Sequence, residues 1–258
     1  MKYEVIRSLA QWHGLRGQWN TLLADSRADQ LFMTWEWLDC WLRVQRSVTD
    51  LRIICVRGTG GELLGVAPFY VANYRLLDIL PFRMLRMIGD VDSGAEYQTW
   101  LARTSDEDRV CEVIVRAMRA LRSEWDLLWI PNLESWSGAH EPMVRALRAG
   151  RLGIRSRPRD FSTVTLPADY HAVLASMSTN RRQQIRRNTK KILSKPGVEV
   201  RKVTTHDELG PALDALFRLH GKRWRAVGQD GVFDRNVKER EFYECFAPEA
   251  LARGWLAV

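Results

Sequence analysis

Little in this chain is patterned for metal, redox or membrane chemistry. Its 258 residues hold four cysteines, Cys40, Cys55, Cys111 and Cys245, with no C-x-x-C pair and no histidine at ligand spacing. Neither a zinc site nor a disulfide framework is supported, so all four read as buried thiols and no metal is expected. Unpatterned cysteines in a chain of this size fit a reducing compartment, with the cytoplasm as the expected location. Long hydrophobic runs are also missing. The longest, Leu63 to Tyr70, is interrupted by Gly65 and Pro68 and falls far short of the ~20 residues that cross a bilayer. Residues 1–30 carry Lys2, Arg7 and Arg16 without the apolar segment of a secretory signal. At 46% hydrophobic and 10% aromatic content, the chain is expected to be globular, with one large core or two smaller ones.

The sharpest shortage is of acid between residues 178 and 195. The run S-T-N-R-R-Q-Q-I-R-R-N-T-K-K-I-L-S-K holds seven basic residues and no carboxylate. Arg181, Arg182, Arg186, Arg187, Lys190, Lys191 and Lys195 supply seven of the formal net +8, which leaves +1 for everything else. The basicity is therefore local, and an anionic partner is expected there. At 100° per residue Ile185, Thr189, Ile192 and Leu193 form a narrow stripe, so the helix is expected to pack on one side. Pro196-Gly197 ends it. Two readings stay open for the run: a solvated face that keeps the protein soluble, or a grip for an anion.

Elsewhere the patterns alternate between strand and helix. Residues 3–8 read as a strand, and 14–25 as a helix with Leu15, Trp19, Leu22 and Leu23 on one face. Thr34 is a candidate N-cap for a helix burying Trp35, Leu38, Trp41 and Leu42. Trp35, Trp37 and Trp41 at helical spacing read as core, not as a stacking platform. The runs 51–56 and 62–71, joined by G-T-G-G, read as a hairpin. Further strands are expected at 85–89, 98–102, 126–130 and 162–166, with helices at 106–123 and 141–148. The fold class expected is α/β, a mixed central sheet flanked by helices.

The order then restarts. Residues 198–203, V-E-V-R-K-V, match 3–8 in pattern; Phe233 answers Phe32, Phe242 to Phe246 answer Trp35 to Leu42, and W-L-A-V answers 51–56. This reads as an internal repeat, with one domain over 1–166 and a second begun at 167–258. A matching second copy would need roughly another hundred residues, so the expectation is a truncated chain whose last strand edge is open to association.

The order and spacing of five segments carry a resemblance: F-M-T-W-E-W-L-D-C-W (32–41), G-E-L-L-G-V-A-P-F-Y (61–70), M-I-G…E-Y (87–97), the basic run (178–191), and H-G-K-R-W with G-V-F (220–224, 231–233). They resemble the CelD/BcsL-type branch of the GNAT acyltransferase superfamily, associated with cellulose and exopolysaccharide biosynthesis, and are more distantly similar to the Fem-type aminoacyltransferases. The resemblance covers nearly the whole chain. It implies two GNAT-like folds in tandem, the second incomplete, and transfer of an acyl group, in the simplest case acetyl, to an amine or hydroxyl of a cell-envelope or exopolysaccharide precursor. The family's pyrophosphate motif, Q/R-x-x-G-x-G/A, is absent. Its place after the fourth strand is taken by M-I-G-D-V-D-S-G-A-E-Y, whose Asp90, Asp92 and Glu96 would repel a pyrophosphate. No cofactor is therefore expected in this chain, although an acyl-CoA is expected for a full-length protein, and the fragment is expected to be inactive.

No catalytic base is assigned from the sequence. The substrate-binding candidates are Ser178, Asn180, Arg181, Arg182 and Arg186 at the start of the second copy, His220, Lys222, Arg223 and Trp224 at a helix end, and Asp92 and Tyr97 in the loop after the fourth strand. The expected partner is an anionic small molecule or glycan precursor. Aminoacyl-tRNA or another RNA is the competing partner, and a non-catalytic polyanion-binding module is the competing function. No aromatic platform is interleaved with the basic run to favour single-stranded nucleic acid.

Overall fold

Every strand in the computed structural model lies before residue 130, and the described residues are 1–28, 30–162, 164 and 166–256. The strands are β1 (Lys2–Ile6), β2 (Leu51–Arg57), β3 (Leu63–Leu76), β4 (Leu80–Met87), β5 (Leu101–Ala102) and β6 (Leu127–Trp129). They form one sheet in the order β1-β2-β3-β4-β6, with β5 paired to the start of β3. All pairings are antiparallel except β4 with β6, so the sheet is mixed.

Strand β3 organises this sheet. Its Gly65 and Val66 pair with β5, and from Phe69 onward it pairs with β4. Pro68 sits where the partner changes. Its carbonyl accepts from Ile88 N–H at 2.8 Å, and the N–H that proline lacks would face the same interrupted side, which is how a central strand tolerates it. Gly65 is required for a different reason: a Cβ there would stand 2.1 Å from Val110 Cγ1, so glycine lets a helix lie directly on the strand.

That helix is α4 (Glu107–Ala120), which buries Val110, Val113, Ile114 and Ala117 as its 3.6-residue spacing requires. The other helices of this half are α1 (Leu9–His13), α2 (Arg16–Ala24), α3 (Trp35–Val44) and α5 (His140–Ala149). Thr34 caps α3 by accepting from Trp37 N–H at 3.3 Å. Trp35, Trp37 and Trp41 are all buried, as their spacing predicts. Trp12, from α1, stands edge-on to Trp19 at 5.0 Å and stacks on Trp35 at 5.8 Å.

From residue 167 the described chain is helical: α6 (Tyr170–Ser176), α7 (Thr179–Leu193), α8 (His206–Arg225), α9 (Val232–Arg235) and α10 (Val237–Ala252). The expected strand at 198–203 does not form, and Val198 and Val200 are exposed. The physical reason is that a strand needs a neighbour to take its backbone hydrogen bonds, and no other described residue beyond 167 is in a strand. The closing strand of the first half is likewise absent at Ser162, Val164 and Leu166, with Thr163 and Thr165 outside the described residues. Trp255 and Leu256 are not in a strand either, and Ala257 and Val258 lie outside the described residues.

The helical half has a small core of its own, Leu209, Leu213, Phe217 and Ala247. Helix α10 joins it to the main core. Phe242 and Phe246 stack on one another and each meets Trp37 of α3 edge-on at 4.7 Å. Arg253 also pairs with Glu36, a nearly buried carboxylate that further accepts from Asn20 Nδ2 at 2.7 Å.

Candidate functional site

The three groups of residues singled out in the sequence have different fates in the fold. Ser178 caps α7, its hydroxyl accepting from Arg181 N–H at 3.4 Å, and Arg181 also donates to Gln184 Oε1 at 3.1 Å. Along the helix Arg182 and Ile185 are half-buried and the other residues exposed. None of its residues is buried; Ile192 and Leu193 are each 54% exposed. Packing on the one apolar side is slight, with only Ile185 of the stripe half-buried, because a carbon stripe four residues long against seven charges gains little from burial. None of the seven Lys and Arg side chains has a carboxylate within 4.0 Å among the described residues. Lys190 and Lys191 lie in the last turn, where they complement the helix dipole.

His220, Lys222, Arg223 and Trp224 form the last turn of α8, and the G-V-F segment folds back onto it. His220 Nε2 accepts from Trp224 Nε1 at 2.9 Å, and its ring lies 4.8 Å from Phe233. Gly231 packs so close that a Cβ there would reach His220 Nδ1 at 2.7 Å and Gly221 Cα at 3.3 Å. H-G-K-R-W and G-V-F are thus one local unit. Its His220 Nδ1 is buried without a partner among the described residues. Lys222 and Arg223 are exposed, while Arg225 pairs with Asp234 at 2.8 Å. Beside this turn lies a shallow cavity of about 160 Å³, lined in part by Arg218, Arg225, Arg240, Asp214 and Asp234.

The loop after β4 turns out to be the seam between the two halves. Asp92, held at φ +54°, accepts from Gln45 Nε2 and from Asn236 Nδ2, each at 2.7 Å. Lys238 Nζ completes the network by donating to Gln45 Oε1 at 2.7 Å. One carboxylate therefore ties α3 and the start of α10 to the loop. Tyr97, also at positive φ, is held by its neighbours: its carbonyl accepts from Gln30 Nε2 and its ring meets Trp136 at 4.8 Å and Phe161 at 5.6 Å. A hydrogen bond to the Glu96 carboxylate raises its phenol.

Glu239, in the first turn of α10, was not legible in the sequence. Its carboxyl is raised above the ordinary value, first by burial and then by the like charge of Asp92. It forms no side-chain hydrogen bond among the described residues. Tyr243, one turn later, is raised by burial and by Glu239; its hydroxyl would lie 3.5 Å from a Cβ on Gly94, and its ring meets Phe233 at 5.5 Å. Through Phe233 and Tyr243 the fold joins the His220 turn to the Asp92 loop. It connects α7 to neither by a hydrogen bond or ion pair among the described residues.

A second polar network was missed except for Asp90. Its carboxylate has no exposed surface and takes Arg86 Nε at 2.7 Å and Tyr70 Oη at 3.1 Å, while Arg86 also reaches Tyr74 Oη. Burial pushes Asp90 up, and Arg86 partly offsets it. The network borders a cavity of about 290 Å³ walled by Trp41, Tyr70 and Tyr74.

This loop does not fit the pyrophosphate of an acyl-CoA. Ile88 N–H and Asp90 N–H are taken by the carbonyls of Pro68 and Met87, the chain continues into β5 where a helix N-terminus would be needed, and Asp90 and Asp92 present negative charge.

Residues 179–258, just under a third of the chain, match the family described as "Acetyltransferase (GNAT) domain". No curated protein matches the chain. Among solved structures, the tetramutant of BH1408 protein from Bacillus halodurans aligns at 6% identity over 63% of this chain and 100% of its own, with a TM-score of 0.39. Another mutant of BH1408 protein, from the same organism, aligns at 8% identity over 64% and 100%, with a TM-score of 0.38. Values this low bear on neither fold nor function. The segment that opens with α7 and runs through the His220 turn, Glu239 and Tyr243 is therefore the part of the chain similar to a GNAT acetyltransferase domain.

Proposed function

We propose that this chain serves GNAT-type transfer of an acyl group, in the simplest case acetyl, to an amine or hydroxyl of an anionic cell-envelope or exopolysaccharide precursor. The observation that carries the reading is the family match over residues 179–258. The CelD-type assignment of the acceptor rests on the resemblance of the five sequence segments.

Transfer to an amine needs a base to take the ammonium proton and donors for the oxyanion. Glu239 is the best-placed base: half-buried, free of side-chain hydrogen bonds among the described residues, and raised toward the working range of a general base. Tyr243 beside it is a hydroxyl donor. The cations of α7 would gather the anionic acceptor, with Arg181, Arg182 and Arg186 at the helix start offering bidentate contacts to phosphate. The donor would be an acyl-CoA or an aminoacyl-tRNA, held elsewhere than in the loop after β4, whose carboxylates repel a pyrophosphate.

The test is transfer of label from radiolabelled acetyl-CoA, and from charged tRNA, to a panel of nucleotide-activated amino sugars. Label on an acceptor, reduced at least ~100-fold by Glu239→Gln at unchanged acceptor affinity, is the expected result. If no label moves from either donor while the panel or RNA still binds with steep salt dependence, the chain is a polyanion-binding module and the transfer reading fails.

A further inference from the structure

The four cysteines are not equivalent in the fold. Cys55 and Cys111 are buried among apolar neighbours and burial pushes both thiols up to about 12, which leaves them inert. Cys40 and Cys245 come from distant parts of the chain and lie across from one another where α3 packs antiparallel along α10, between the Glu36–Arg253 pair at one end and the Gln45–Lys238 hydrogen bond at the other, with Trp37 against Phe242 and Phe246 between them. Arg43 closes over the pair, with Nη2 3.0 Å from Cys40 Sγ and Nε 3.2 Å from Asp39 Oδ2. Cys40 is fully buried, and Cys245 is half-buried and so open to a small reagent. The neighbouring Cys40 thiol and then Arg43 hold Cys245 below the ordinary thiol value, against burial and the charges of Asp39 and Glu249. A partly exposed thiol beside a cation, with a second thiol on the facing helix, is the arrangement of a reactive cysteine and its resolving partner.

We infer that Cys40 and Cys245 are a modification site, a dithiol that a peroxide oxidises to a disulfide joining α3 to α10. The Cys245 thiolate attacks one peroxide oxygen and the O–O bond breaks. Cys245 becomes a sulfenic acid and the other oxygen leaves as hydroxide, which is protonated to water. The Cys40 sulfur then attacks the Cys245 sulfur; the S–O bond breaks, the S–S bond forms, and the Cys40 proton leaves with the hydroxyl as a second water. Two thiols have lost two electrons to one peroxide. A dithiol reductant reverses the change by exchange. The cross-link would pin the helix that carries Glu239 and Tyr243 to the sheet-bearing half, and it does not depend on which reaction the chain serves.

The experiment is exposure of the folded protein to a small molar excess of hydrogen peroxide, quenching by alkylation, and non-reducing peptide mapping by mass spectrometry. The expected product is a Cys40–Cys245 peptide pair two hydrogens lighter than its parts, removed by dithiothreitol, with Cys55 and Cys111 alkylated only after unfolding. The oxidised protein should melt about 5–10 °C higher, because the bridge closes most of the chain into one loop. In Cys40→Ser, with no resolving thiol, dimedone should trap a sulfenic acid on Cys245; in Cys245→Ser, Cys40 should stay reduced at the same dose. The inference is overturned if both thiols remain alkylatable at a dose that oxidises a free small thiol, or if wild-type Cys245 passes to sulfinic acid with no cross-linked peptide. Should Cys40→Ser fail to fold, the wild-type map and Cys245→Ser decide between these results.

Discussion

The two halves of this molecule hold their shape by different means. Before residue 130 six strands share one sheet, and the apolar faces of α2, α3 and α4 complete a core that contains Trp12, Trp19, Trp41 and Phe69. After residue 167 the chain is helical among the described residues, its private core is four side chains, and one helix of fifteen residues has no fully buried side chain. The first half is an anchor. The second contributes charge and titratable groups, and it is held by a strip along α10. The half that matches an acetyltransferase domain thus leans on a scaffold outside the match, which is why Asp92 and Gln45 of the scaffold help set the environment of Glu239.

The strongest way to break that division is at the strip itself. Phe242→Ala removes a fully buried ring from between Trp37 and Phe246 and should cost about 3–5 kcal/mol in chemical denaturation. If the halves fold separately, the loss should fall on the C-terminal helices alone, seen as hydrogen exchange in α8 and α10 ahead of β2 and β3.

Asp92→Asn tests the polar part of the same seam. Asparagine tolerates the positive φ of this position but cannot accept from both Gln45 and Asn236 as a carboxylate does, so a loss of about 1–3 kcal/mol is expected. Removing the neighbouring anion also eases ionisation of Glu239, whose carboxyl should titrate lower by NMR. An unmoved Glu239 would assign its raised value to burial alone.

Acid stability should separate the halves by pH. In the scaffold Glu124 is drawn down to about 2, first by its hydrogen bond to Arg7 and then by Arg52, which it meets at 2.8 and 2.6 Å. A carboxyl lowered in the folded state contributes stability that is complete above its unfolded value near 4.5 and is lost as pH falls toward 2. Glu124→Gln should therefore be less stable than wild type at neutral pH and converge with it across that window in melts. Glu239 works the other way: raised in the fold, it costs stability as pH climbs from its unfolded value through its folded one.

The smallest effect belongs to α7. Arg186→Glu with Arg187→Glu should leave stability within about 0.5 kcal/mol, because both side chains are exposed and neither has a hydrogen bond or ion pair among the described residues. The pair should still weaken binding of an anionic ligand and flatten its salt dependence.

Much of the fold was legible because its signals are local. The hairpin of β2 and β3, the Thr34 cap, the buried faces of α2, α3 and α4, and the span of α7 between Ser178 and Pro196-Gly197 all follow from spacing over a few residues. Helix α1 escaped because five residues carry too little periodicity. The β3–β4 turn escaped because Leu77 and Asp78 take positive φ without the usual Asn-Gly. The strand read at 198–203 shows the opposite error: V-E-V-R-K-V has the alternation but no partner. The site was less legible still. Asp92 and Tyr97 were marked, yet Asn236, Lys238 and Glu239 carry no motif, and their part depends on α10 lying against the loop.

By itself, then, the sequence determined where charge concentrates, which faces are apolar and where helices start and stop, since neighbours along the chain fix backbone conformation and periodicity. Only the tertiary structure decided that Asp92 bridges the two halves, that a raised Glu239 stands beside it, and that Cys40 and Cys245 of four scattered cysteines fall on facing helices. Those facts depend on how α10 docks on α3. Docking is set by the summed fit of side chains drawn from the whole chain, which no short window of residues contains.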